Sequence, residues 1–239
     1  MADKEECLYF AKLAEQAERY GDMIKYIKKL VNINCDLNSE ERSLLSIAYK
    51  NYVGIRRTAW RSLYAIEFKE ETKANRNINP THNYRIKVQE EVNSACKEIQ
   101  ELLDSKLIPK SKSPDSQVYY LKMKGDYNRY NAECSEEENK KSLSTKAMDA
   151  YKQALSLSEK NLATTNPVRL GLALNCSVFY YEIMGQPEKD CQLAKSAFDS
   201  AISDLEGLDD EQYKDSATIL QLIKDNLTIW NSDMEKEAL

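Results

Sequence analysis

Two lines of basic residues are the part of this sequence whose residue types and spacing could do chemistry. The first line is Lys50, Arg57 and Arg61; the second is Lys122 and Arg129, with Tyr130 beside the arginine. Seven or four residues separate the cations within each line, so on a helix they share a face at about 100° of rotation per residue. Two arginines and a tyrosine hydroxyl meeting in one cavity would bind a dianionic phosphate through charge-assisted, bidentate hydrogen bonds. Each line alone also fits a solvated helix face, and the spacing does not show that the two lines meet.

The histidine and cysteine residues give little support for a catalytic or metal site. The single histidine, His82, is expected to be exposed in a polar loop. A Ser–His–Asp triad would have to use this residue, and a metal site with several histidines is excluded. No two of the six cysteines lie closer than 15 residues, which excludes Cys-x-x-Cys pairs and predicts reduced thiols in a cytosolic protein. We therefore predict no catalytic residues, no metal and no cofactor.

The charge balance and hydropathy limit the partners. The chain has 34 Lys and Arg and 39 Asp and Glu, and the resulting net charge of −5 argues against general nucleic-acid binding. No apolar run is long enough to cross a membrane, and the acidic start MADKEECLYF does not resemble a signal peptide. These features predict a cytoplasmic protein with no membrane or nucleic-acid partner.

The basic lines must be positioned by helices. Glycine (6) and proline (5) make up about 5% of the chain, too few for folds that turn often. Asn38 with Glu41 predicts a capped helix start, and Gly185 predicts a helix end. The run VRLGLALNCSVFYYEIM is apolar nearly all round and should lie centrally. Periodicity predicts nine helices with antiparallel neighbours, near 4–17, 20–34, 39–72, 79–107, 114–133, 139–161, 167–184, 188–204 and 210–232.

Several long segments resemble the hallmark segments of one family. They are AKLAEQAERY, SLLSIAYKNYVGIRRTAWR, YLKMKGDYNRY, RLGLALNCSVFYYEI and YKDSATILQLIKDNLTIW, in the order and spacing of the 14-3-3 family. The resemblance covers about residues 4–232 and implies a single domain over 1–239 with a short polar tail from about 232. It also implies an all-α fold of nine antiparallel helices, forming a cup-shaped protomer with a central amphipathic groove, and a homodimer.

The implied activity is adaptor binding without catalysis: proteins of this family bind phosphoserine or phosphothreonine in client proteins, and the family is itself a known example of phospho-motif capture by arginine clusters. Residue by residue, the resemblance assigns phosphate binding to Lys50, Arg57, Arg61, Arg129 and Tyr130. It assigns the peptide groove to Lys122, Leu174, Asn175, Val178, Glu182, Leu222, Asn226, Ile229 and Trp230. Within these sets, Asn175 and Asn226 would pair with the ligand backbone, whereas Glu182, like Asp126, would orient the cations. Without the resemblance, Leu222, Ile229 and Trp230 would also fit ordinary core positions.

The resemblance also implies a dimer seam in which the first helices of one protomer pack on the third and fourth of the other. The seam residues would be Leu13, Ala17, Arg19, Asp22, Ala59, Leu63, Tyr84, Lys87 and Glu91. Arg19 would pair with the position of Glu91, and Asp22 with that of Lys87. Ala59 stands where many family members have a serine, so a seam phosphorylation site is absent from this chain.

Three classes of function stay open. The first is a homodimeric phosphoserine/phosphothreonine adaptor that regulates phosphorylated clients. The second is a diverged helical scaffold whose groove prefers unphosphorylated amphipathic or acidic peptides. The third is an enzyme. Titrating one peptide with and without phosphate on a single serine separates the first two, and turnover of the peptide would identify the third.

Overall fold

The computed structural model describes residues 2–72 and 78–237, and this part of the chain contains nine long helices and no strand. They are α1 (Ala2–Gln16), α2 (Tyr20–Ile33), α3 (Ser39–Thr72), α4 (Ile78–Leu102), α5 (Pro114–Glu133), α6 (Glu137–Asn161), α7 (Pro167–Phe179), α8 (Pro187–Asp204) and α9 (Asp210–Glu237). Two π-helical turns, Leu103–Leu107 and Tyr180–Met184, prolong α4 and α7, Ile108–Lys110 adds a short α-helical turn after the first, and the 3-10 turn Leu205–Gly207 follows α8. The all-helical prediction is confirmed.

The predicted helix ends are built as the sequence indicated. Asn38 and Glu41 cap α3 reciprocally: Asn38 Oδ1 accepts the Glu41 backbone N–H at 2.9 Å, and Glu41 Oε2 accepts the Asn38 backbone N–H at 3.0 Å. Asn166 accepts two backbone N–H groups in the first turn of α7. Gly185 ends the turn after α7 in the left-handed region, at φ +56°, where glycine is least strained.

Two sequence expectations differ from the structure. His82 lies on α4, not in a loop, because Pro80 is compatible with the first turn of a helix. Its Nδ1 is 2.6 Å from Oε1 of the nearly buried Glu67 on α3, although the imidazole stays about half exposed. The last helix also continues to Glu237, past the predicted start of a tail near 232, because Met, Glu and Lys are strong helix formers.

The chain divides into two compact units, each with its own packing. The first, unit 1, comprises Met1–Ser111 and Glu133–Glu137; the second, unit 2, comprises Lys112–Ala132 and Glu138–Leu239. In unit 1, side chains of α3 and α4 pair along the length of the two helices. Three of the pairs are Arg56 with Glu91, Trp60 with Gln89, and Glu67 with Arg85. Because the α4 partners step backwards as the α3 partners advance, the two helices are antiparallel.

Along α3, apolar and aromatic residues recur at steps of three and four and form one stripe, which is buried in its first half only. The stripe consists of Leu45, Ala48, Tyr52, Ile55, Ala59, Leu63 and Ile66. Leu45 and Ala48 are fully buried in unit 1, whereas Ile55 is 60% exposed and Ile66 is 46% exposed. Ala59, between these two, is exposed as well. Within the described residues of unit 1, therefore, the second half of the stripe is mostly exposed, and only Leu63 is half-buried.

In unit 2, α7 contributes to two apolar clusters, as its nearly continuous apolar sequence predicts. One face supplies Leu172, Cys176 and Phe179 to a cluster with α5 and α6. The other supplies Leu170 to a cluster with α8 and α9 that also contains Trp230. The α7 backbone is thereby held on both sides, which fixes the polar residues that it also carries.

Across residues 2–72 and 78–237, no helix combines the length and the apolar character that crossing a membrane requires.

Candidate functional site

In unit 1, Arg57 and Arg61 share the carboxylate of Glu133. Arg57 Nε donates to Glu133 Oε2 at 2.8 Å, its Nη2 donates to the same oxygen, and Arg61 Nε donates to Oε1. Burial alone would raise the pKa of Glu133, but the two guanidinium groups outweigh burial and hold that pKa below its usual range. One turn of α3 separates the arginines, so a single carboxylate can gather both.

The exposure of these cations differs. The Arg57 side chain is 15% exposed, whereas that of Arg61 is 54% exposed. Lys50 is exposed two turns earlier on α3. Unit 1 therefore brings two of its three predicted phosphate-binding residues to one carboxylate and leaves Lys50 at the surface.

In unit 2, Arg129 is nearly buried beside Tyr130. Its guanidinium carbon lies 4.7 Å from the centroid of the Tyr130 ring, and its Nη1 lies 3.3 Å from Oε2 of Glu182. Burial alone would lower the pKa of Arg129, but the neighbouring Tyr151, Tyr130 and Asp126 raise it overall. Arg129 is thus a permanent cation, and the carboxylate of Glu182 lies within hydrogen-bond distance of it.

Lys122 and Asn175 meet at a second carboxylate of unit 2. Lys122 Nζ donates to Asp126 Oδ2 at 2.8 Å, and Asn175 Nδ2 donates to Asp126 Oδ1 at 2.9 Å. The Tyr151 hydroxyl donates to the same Oδ1 at 2.6 Å. This network places a lysine and an amide of the predicted groove side by side.

The predicted apolar wall is open at some positions and closed at others. On α9, Leu222 is 49% exposed and Ile229 is 57% exposed, with the half-buried Asn226 between them in sequence. Leu174 and Val178 on α7 are partly buried against the adjoining cluster. Trp230, by contrast, is a core residue: it is 5% exposed and stacks on Tyr181 with ring centroids 5.2 Å apart. Trp230 therefore supports the wall from behind instead of forming its surface.

The residues predicted for a dimer seam all belong to unit 1. Leu13 is 46% exposed and Tyr84 is 57% exposed, although both are large and apolar in character. Ala17 and Ala59 are also exposed, and Leu63 is half-buried. The charged members are Arg19, Asp22, Lys87 and Glu91, of which Arg19 and Asp22 pair with each other and Glu91 pairs with Arg56 at 3.0 Å.

Two site residues were not found from the sequence, namely Glu133 and Tyr151. Glu133 follows Arg129 by four residues, which is the only local signal for it, whereas its bonds to α3 cross about 70 residues of chain. Tyr151 reaches Asp126 from α6. Among the residues that the structure describes, no cluster of His, Cys, Asp and Glu is suited to hold a metal ion.

The chain was also compared with known proteins. A model of the 14-3-3 protein family matches residues 10–231. The 14-3-3-like protein GF14 epsilon of Arabidopsis thaliana is 49% identical over 237 residues, which covers 99% of this chain and 93% of the relative. A 14-3-3-like protein of Chlamydomonas reinhardtii is 51% identical over 239 residues (99% and 92%), and the 14-3-3 protein zeta of Bombyx mori is 50% identical over 236 residues (99% and 95%). The chain belongs to the 14-3-3 family, whose members are phosphopeptide-binding adaptors and not enzymes.

Proposed function

We propose that this protein binds phosphoserine or phosphothreonine in client proteins and regulates those clients as a homodimer in the cytoplasm. In this proposal the two units act as one domain. The observation that supports it best is that each unit holds arginines in place with a carboxylate. Arg57 and Arg61 are held by Glu133, and Arg129, beside Tyr130, is held by Glu182.

The phosphate is the ligand group that suits these side chains. A phosphorylated serine or threonine carries a charge of about −1.5 to −2 and three strong acceptor oxygens. Guanidinium groups bind such oxygens in pairs, and the Tyr130 hydroxyl can donate one more hydrogen bond. Because Glu133 already holds Arg57 and Arg61, these side chains lose little rotamer entropy when the phosphate arrives. The exposed Lys50 adds charge nearby on α3.

The segments flanking the phosphate would lie along the groove residues of unit 2. Asn175 and Asn226 would bond to the peptide main chain and hold it extended, with Lys122 farther along. Leu174, Val178, Leu222 and Ile229 would contact the client's side chains, and Glu182 and Trp230 would hold Arg129 and the wall in place. The open apolar surface of Leu222 and Ile229 supports this assignment, because large apolar side chains exposed beside polar groups mark binding surfaces.

The dimer would form through the exposed apolar residues of unit 1. Leu13 and Ala17 of one protomer would meet Ala59, Leu63 and Tyr84 of the other, and Ile55 continues the same uncovered stripe. Burial of this surface would supply most of the association energy. The charged seam residues would add little, since Asp22 and Glu91 already have partners within the chain and would only exchange them.

The phosphate requirement is tested by titrating one fluorescent peptide with and without phosphate on a single serine and following anisotropy. We expect tight binding of the phosphorylated form alone. Equal affinity for both forms would contradict the proposal and support the unphosphorylated-peptide scaffold, whereas release of phosphate or cleavage of the peptide would indicate an enzyme.

The dimer is tested by light scattering of wild type, Ala59→Glu and the matched control Thr58→Glu. Thr58 is also exposed but lies about 100° around α3 from Ala59, away from the seam. We expect a dimer, a monomer and a dimer in that order, because only Ala59→Glu buries a charge in the seam. A monomeric wild type would overturn the interface.

A further inference from the structure

Asp126 is a buried carboxylate that side chains from three helices contact. It is 5% exposed and accepts hydrogen bonds from Lys122 on its own helix α5, from Tyr151 on α6 and from Asn175 on α7. Burial alone would raise the pKa of Asp126, but Lys122 and Arg129 outweigh burial and hold that pKa below its usual range. At neutral pH this carboxylate is therefore charged and can only accept hydrogen bonds.

Packing holds one of the three donors in place. The Tyr151 ring packs directly on Gly125, where a Cβ atom would come within 2.5 Å of the ring. Lys122 lies one helical turn before Asp126 on α5, and its ammonium group bonds to the second oxygen of the same carboxylate. Because Tyr151 is fixed by packing and Lys122 bonds to the other oxygen, the Asp126 carboxylate is held in one orientation.

This arrangement decides which way the Asn175 amide faces. A carboxylate that only accepts must be met by the NH2 group of the amide, so Nδ2 points at Asp126, at 2.9 Å. The amide oxygen Oδ1 then points away from Asp126. Among the described residues no side chain donates to this oxygen, and Asn175 is only half-buried. Asn175 consequently presents an acceptor, and not a donor, away from the network.

We propose that Asp126 is a positioning residue that turns the Asn175 amide so that the groove reads a main-chain N–H of the bound peptide. The inference rests on the proposed phosphopeptide function and adds a rule for ligands: at one position of the peptide an N–H group is required. A residue without that N–H, such as proline, is rejected at that position. Asp126 acts through Asn175 and does not contact the ligand.

The test is a backbone ester scan of a phosphopeptide that binds wild type, in which one flanking amide N–H at a time is replaced by oxygen. In wild type we expect one ester position to weaken binding about tenfold, since an acceptor of the protein then faces an oxygen of the ligand. In Asp126→Asn the neighbouring amide can offer oxygen or NH2, so Asn175 can turn. We therefore expect the loss at that position to shrink to about threefold or less.

Tyr151→Phe is the matched control, because it removes another hydrogen bond to the same Asp126 oxygen but leaves the Asn175 amide facing as before. Since the Tyr151 hydroxyl also contacts Arg129, the control is judged by the ratio of ester to amide affinities and not by the affinity for the parent peptide. We expect this variant to keep the wild-type ester selectivity. A role of Asp126 in stability alone would weaken all the peptides equally and would leave the selectivity unchanged.

A second measurement needs no variant of Asp126. The side-chain NH2 resonances of Asn175, followed by NMR in wild type, should shift little when the phosphopeptide binds, because that NH2 stays on Asp126. A flat ester scan in wild type, unchanged selectivity in a folded Asp126→Asn, or transfer of the NH2 to the ligand would each overturn the inference. Failure of wild type to bind the parent phosphopeptide would instead contradict the proposed function.

Discussion

Glu133 in unit 1 and Asp126 in unit 2 both hold basic side chains, but they do so in different surroundings. Glu133 is partly open to solvent, and one of its partners, Arg61, is more than half exposed. Asp126 is almost fully buried, and its partner Lys122 is 21% exposed. An open ion pair can exchange partners with an arriving anion, whereas a buried network mainly fixes geometry, since breaking it leaves a charge without compensation. The comparison therefore separates the cations that we propose to bind phosphate from a lysine that we propose to shape the groove.

The largest expected effect is on binding. Arg57→Ala or Arg129→Ala should weaken phosphopeptide binding by about 2–5 kcal/mol, because each removes a charged hydrogen-bond partner from a partly desolvated dianion. Lys122→Ala should cost much less, since its ammonium group is already committed to Asp126. Anisotropy titrations of the three variants measure this difference, with circular dichroism as the control for folding. Equal losses for all three would contradict the division between the two arginines and Lys122.

For stability we expect the opposite order, with the lysine variant losing more than an arginine variant. Lys122→Ala leaves Asp126 short of its ammonium partner, and we expect a loss of about 3 kcal/mol in the free energy of unfolding. The cost stays at the low end for a buried pair because Tyr151 and Asn175 still donate to Asp126. Arg61→Ala, the matched variant at the open carboxylate, should cost less than about 1 kcal/mol. Urea unfolding measures the stability of both variants. Comparable losses would mean that the ion pair at Glu133 stabilises the fold as much as the one at Asp126.

The smallest expected effect is a difference in pH dependence. The pKa of each carboxylate is lowered in the folded state, so each charged form stabilises the fold above its unfolded pKa, near 4, and that stabilisation is lost as the pH falls through the folded pKa. At pH 7, both Asp126→Asn and Glu133→Gln should therefore lower the free energy of unfolding, and we expect the larger loss for Asp126→Asn because its carboxylate is the more buried of the two. Below pH 4, the difference in the free energy of unfolding between each variant and wild type should become smaller. Differences that stay constant from pH 7 to pH 3 would show that neither carboxylate charge contributes to stability.

The sequence predicts the helices well because their determinants are local. The reciprocal cap of Asn38 and Glu41 and the left-handed Gly185 depend on neighbours within a few residues, and both are confirmed. The apolar character of α7 likewise predicts its contacts with two clusters.

The carboxylate partners could not be predicted in the same way. Periodicity brings Arg57 and Arg61 to one helix face but carries no information that Glu133, about 70 residues later, holds both. Trp230 shows the same limit, because spacing along α9 cannot tell a wall residue from a core residue until Tyr181 is found stacked on it. Local patterns determine which residues share a helix face, and only long-range packing determines what that face meets.

We propose that Arg57 and Arg129 contribute to binding the same phosphate of the client, and a double-mutant cycle on Arg57→Ala and Arg129→Ala tests this most directly. Phosphopeptide affinities of wild type, both single variants and the double variant would be measured at one ionic strength. Because residues that share a partner are coupled, we expect the double variant to lose at least about 1 kcal/mol less than the two single losses combined. Losses that add within about 0.5 kcal/mol would mean that the two arginines act independently, and would contradict a shared phosphate site.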